Sequence, residues 1–131
     1  MIEVNGRVGG PIPRMLELTA GYDIIADLGR MALGEKPEAA LRFDGFSLFL
    51  TPVSPQRDVA VRAIHGEEEA RAIEGVRDLS IRYPAGSRPD WRMGGFSSLW
   101  RSFITSPTSA GLFDVAARLE NTLQVELDDI S

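Results

Sequence analysis

Asp44-Gly45 sits between two apolar runs, Leu41-Arg42-Phe43 and Phe46-Ser47-Leu48-Phe49-Leu50. An Asp-Gly pair in that frame supplies the positive φ angles of a tight turn and predicts a two-residue hairpin. Pro52 and Pro55 end the second run. Asp58 to Ile64 (DVAVRAI) then reads as a further strand, so residues 41–64 predict a three-stranded antiparallel meander. A chain that starts from local strand pairing and then turns helical is expected to be α+β.

The helical pieces come from periodicity. Ile24, Ile25, Leu28, Met31 and Ala32 form one apolar stripe over 22–33, with Asp23 in the first turn and Arg30 in the last. Gly34 is placed to close that helix. Upstream, residues 12–33 admit either one long helix or a strand and a helix split at Gly21. Ile2, Val4 and Val8 alternate like a strand, although Asn5-Gly6 also suits a turn. Gly66 to Arg77 predicts a helix whose first turn carries Glu67, Glu68 and Glu69, where the helix dipole favours anions. Leu79 to Tyr83 alternates as a strand. Residues 84–95 form the longest expected loop, and 96–105 reads as helical from Leu99, Trp100 and Phe103. Ser106-Pro107 suggests an N-cap and first-turn proline for a last helix to about residue 121. Leu123 to Ile130 alternates as a closing strand. The expected architecture is one α+β domain over 1–131, an antiparallel meander packed with about four helices as a single pair of layers.

Composition narrows function by exclusion. The 131 residues fit one domain. There is no cysteine, hence no disulfide scaffold, thiolate nucleophile or cysteine-based metal site. A single histidine, His65, excludes paired-histidine zinc chemistry. The net charge of −5 argues against an ordinary basic nucleic-acid surface. No run approaches the ~20 apolar residues of a membrane span, and the N-terminus lacks a signal-peptide pattern, so a cytoplasmic protein is expected. Gly6 to Pro11 matches neither a phosphate-loop nor a dinucleotide-loop pattern. The carboxylates show no catalytic spacing and no calcium-loop pattern. No catalytic residue, cofactor or metal site is assigned.

The candidate contact residues are Trp91, Arg92, Asp58, Glu67, Glu68 and His65. Tryptophan and arginine concentrate at interface centres, and acidic residues steer a basic partner. In size, charge and element order the chain is similar to immunity proteins that neutralise a toxin and to acidic secretion chaperones, although no motif carries either resemblance. These features imply a non-catalytic binder of another protein, with a basic one among the candidates, acting as monomer or homodimer. The alternatives are a ligand-binding or enzymatic domain, with a pocket at His65 and Arg62 or Arg82, and a structural subunit of an assembly.

Overall fold

The computed structural model describes residues 9–37 and 41–130. The order is α1 (Ile12–Ala20), α2 (Ile24–Ala32), β1 (Phe46–Leu50), β2 (Val59–His65), α3 (Glu67–Arg71), β3 (Val76–Ile81), a 3-10 segment (Trp91–Ser97), β4 (Trp100–Ser106), α4 (Ser109–Thr122) and β5 (Gln124–Asp129). The class is α+β with antiparallel strands, as the sequence predicts. The strands form two small sheets, one ordered β1-β4-β3 and one pairing β2 with β5.

The hairpin at Asp44-Gly45 does not form. Residues 41–44 lie outside any strand, and β1 pairs with β4 in the register Phe46↔Ser106 to Leu50↔Ser102. The Asp44 amide instead donates to the Thr19 carbonyl at 2.8 Å. Gly45, at φ +125, is needed for close approach, because a Cβ there would lie 2.7 Å from the Ser106 carbonyl oxygen. The expected continuation of the meander into β2 also fails, since β2 joins β5 across a bulge between Val61 and Ala63.

Other boundaries move for identifiable reasons. Residues 12–32 form two helices separated by Gly21 in the left-handed conformation. Asp23 caps α2 by accepting from the Ala26 amide at 2.9 Å. The helix expected over 66–77 stops at Arg71, and the chain reverses at Gly75 (φ +97) to enter β3. Residues 100–106 form a strand where a helix was expected. Trp100, Ser102 and Ile104 are buried while Arg101, Phe103 and Thr105 take the other face, a period of two. The N-cap of α4 is Thr108 rather than Ser106, its hydroxyl accepting from the Gly111 amide at 3.1 Å. The strand or turn expected over residues 1–8 lies outside the described residues.

One face of the three-stranded sheet carries Leu79, Trp100 and Ile104 into the core. Leu112, Ala116 and Leu119 of α4 meet them there, with Ala70 of α3 and Ile73 beside it. Trp100 is therefore a packing residue. Among the described residues the opposite face is left open apart from α1, which Arg14 ties to Asp78 on β3 at 2.8 Å.

Candidate functional site

The open sheet face forms a groove of about 350 Å³ lined by Gly10, Pro11, Phe49, Asp78, Ser80, Arg101 and Phe103. Its floor follows from strand alternation. Phe49 and Phe103 are directly paired across β1 and β4, and Ser80 and Arg101 are paired across β3 and β4. All four lie on the face away from the core. The two phenyl rings are 4.6 Å apart between centroids and tilted by 32°, within the range of favourable aromatic contact. Arg101 is exposed and makes no ion pair among the described residues. Asp78 is occupied by Arg14, which also holds Glu17 at 2.7 Å. Both carboxylates keep the Arg14 guanidinium protonated beyond its ordinary range. The groove thus offers a ring-binding floor, one unpaired cation and one hydroxyl.

A second cleft, about 410 Å³, opens at the end of the sheet. Arg77, Arg118, Asp44, Glu74 and Asp114 line it, with Thr105 and Ser106. Arg77 donates to the Thr105 hydroxyl at 2.8 Å. Charge of both signs is spread around this cleft.

The residues singled out in the sequence fall into separate groups. Asp58, Trp91 and Arg92 do meet. The Trp91 indole N–H donates to Asp58 Oδ1 at 3.0 Å, and Arg92 reaches the same oxygen at 3.1 Å. The Arg92 guanidinium also covers the Trp91 ring at 4.6 Å. Arg92, then the indole donor, hold the Asp58 carboxyl below its ordinary range, and Asp58 raises Arg92 in return. The face and polar edge of Trp91 are therefore already engaged within the chain. His65 lies elsewhere, 3.2 Å from Glu126, which also pairs with Arg62 at 2.7 Å. It does not cap α3, whose N-cap is Gly66, and it lines neither groove. Glu67 pairs with Arg71 at 2.6 Å on its own helix, and the exposed Glu68 has no ion pair among the described residues. The pocket expected at His65 with Arg62 or Arg82 is neither of these two grooves, and His65 and Arg62 share Glu126 on the β2-β5 sheet.

Of the groove residues, Phe49, Ser80 and Phe103 escaped the sequence reading as site residues, while Arg101 stood only at the end of the tryptophan- and arginine-bearing stretch from residue 88. Their signal was the alternation of Trp100 to Ser106, hidden by the helical spacing of Leu99, Trp100 and Phe103. No cluster of three His, Asp or Glu side chains placed to hold a metal ion occurs among the described residues. No helix among them is long and apolar enough to cross a membrane.

No family model matches the sequence, and no curated protein matches it. Solved structures do share the fold. Phosphoribosylglycinamide synthetase from Anaerococcus prevotii aligns over 97% of this chain and 33% of its own, with a TM-score of 0.74 at 14% identity. N5-carboxyaminoimidazole ribonucleotide synthetase from Thermotoga maritima aligns over 86% of this chain and 29% of its own, with a TM-score of 0.57 at 15% identity. The chain thus spans about a third of the length of the structures it resembles. This finding overturns the expectation of a non-catalytic binder of the immunity or secretion-chaperone kind, because the fold along nearly the whole chain is one carried by synthetases.

Proposed function

We propose that this chain is the substrate-facing domain of a synthetase-type enzyme, and that its open sheet groove receives a phosphorylated ribosyl compound. The observation that carries the reading is the likeness to phosphoribosylglycinamide synthetase along 97% of the residues. Fold alone does not give function, so the groove must supply the chemistry. Both neighbours are named for compounds containing a phosphorylated ribose. The groove has the matching parts. Phe49 and Phe103 present an apolar floor for a ring, while Arg101 and Ser80 present donors for a phosphate. Same-face positions two residues apart on β4 are separated by roughly 7 Å, short enough for one phosphorylated sugar to touch both. A cavity of this size lies in the range used for small ligands.

The test is calorimetric titration of the chain with ribose 5-phosphate and with a ribonucleoside monophosphate. Saturable binding is expected, weakened at least tenfold by Arg101→Ala, a loss of about 1.4 kcal/mol. Binding of neither compound, or binding indifferent to Arg101→Ala, would sink the reading.

A further inference from the structure

The two ends of the sheet groove differ in chemistry, and strand register sets the difference. Asp78 is paired with Phe103, and Ser80 is paired with Arg101. Asp78 and Arg101 are therefore diagonal neighbours on the open face, with Cα atoms about 7–8 Å apart. Long side chains of opposite charge can close on each other across that spacing. These two do not. Arg14 reaches from α1 and takes Asp78 through Oδ2 at 2.8 Å, while its other arm holds Glu17 at 2.7 Å. Asp78 Oδ1 has no partner among the described residues, and neither has the Arg101 guanidinium. An acceptor thus stands at the Phe103 end of the groove. A cation and the Ser80 hydroxyl stand at the other.

Resting on the phosphorylated-ribosyl reading above, we infer that Asp78 sets the specificity of this groove, and that its substrate class is a 5-phosphorylated ribose with both vicinal ring hydroxyls free. A carboxylate only accepts hydrogen bonds, so the Asp78 end requires donors, and a vicinal diol supplies two. The same charge repels a phosphate, which fixes the direction in which the ligand lies. With the phosphate on Arg101 and Ser80, the sugar rests over Phe103. Its hydroxyl edge then falls beside Asp78 Oδ1, because Asp78 is the cross-strand neighbour of that ring. The phosphate and the diol occupy opposite edges of a ribose, as the acceptor and the cation occupy opposite ends of the groove. A sugar lacking one hydroxyl forfeits a hydrogen bond to a charged group and leaves the carboxylate short of a donor.

The test is calorimetric titration of the chain with uridine 5′-monophosphate and 2′-deoxyuridine 5′-monophosphate, which differ by one hydroxyl. The deoxy compound is expected to bind about tenfold more weakly or worse, the worth of one hydrogen bond to a charged group. In Asp78→Ala the two should bind within about twofold of each other, since neither then meets a carboxylate. That ratio is independent of whatever the released Arg14 adds, because both ligands carry the same phosphate. Equal binding of the two nucleotides by the wild-type chain overturns the inference without recourse to any variant, yet leaves the phosphorylated-ribosyl reading standing. A preference that persists in Asp78→Ala also overturns it. Binding of neither nucleotide by the wild-type chain overturns both.

Discussion

At Gly66 the chain passes from β2 into α3 with φ +72, and a Cβ built there would collide with the Thr122 carbonyl oxygen. The clash is with backbone at the end of α4, so no side-chain rearrangement relieves it. Gly66→Ala is expected to destabilise the protein by about 2 kcal/mol or more, read from urea unfolding. Charged residues on the β2-β5 sheet have a weaker hold, and their effect depends on pH. Arg62, and then His65, lower the Glu126 carboxyl from its ordinary value of 4.5. Stability from this pairing is fully present above the ordinary pKa and is lost as the pH falls through the lower folded-state value. Glu126→Gln should therefore lower stability near neutrality, with the deficit fading as the pH falls below 4.5, so that the acid-side dependence is shallower. An equal acid dependence in the variant would show that the pairing contributes nothing, as many exposed ion pairs do. At this scale the sequence was readable where the cause is local. The glutamates of the first α3 turn and Asp23 before α2 sit as their residue types predict. The partners of Asp58 and His65 were not readable, because Arg92 and Glu126 lie 34 and 61 positions away along the chain.

Elements were misjudged where two periods fit the same residues. Leu99, Trp100 and Phe103 suit a helix, but Trp100, Ser102 and Ile104 suit a strand, and pairing with both β1 and β3 decides for the strand. Tertiary pairing likewise defeats the Asp44-Gly45 turn. β4 supplies a longer partner for β1 than the three residues before the turn. The apolar stripe on α2 was legible, but its direction was not, since amphipathicity does not say which neighbour covers the face. α4 shows the ordinary case. Leu119, with no exposure, packs beneath the sheet. Leu119→Ala should cost about 2–5 kcal/mol in chemical denaturation. A cost below about 1 kcal/mol would show that α4 is not the main support of the sheet.

Across the whole molecule, exclusions drawn from composition narrowed the chemistry without naming it. The absence of cysteine and the single histidine leave the side-chain chemistry mainly to carboxylates, hydroxyls and guanidinium groups, beside one imidazole (His65) and one amine (Lys36). The acidic balance pointed toward a basic protein partner, and part of that charge is paired within the chain. Asp58, Glu67, Asp78, Glu126 and Asp129 all face arginines of their own fold. The groove that remains is formed by three strands brought together from separate parts of the chain, so no short motif marks it. Its central claim, that Phe49, Phe103, Ser80 and Arg101 form a site for a phosphorylated ribosyl compound, is tested most directly by amide NMR titration with a ribonucleoside monophosphate. The account predicts saturable shifts at Ser80, Arg101 and Phe103, with Asp58, Trp91 and His65 unmoved. Shifts centred on Trp91 and Asp58, or none at all, would contradict it.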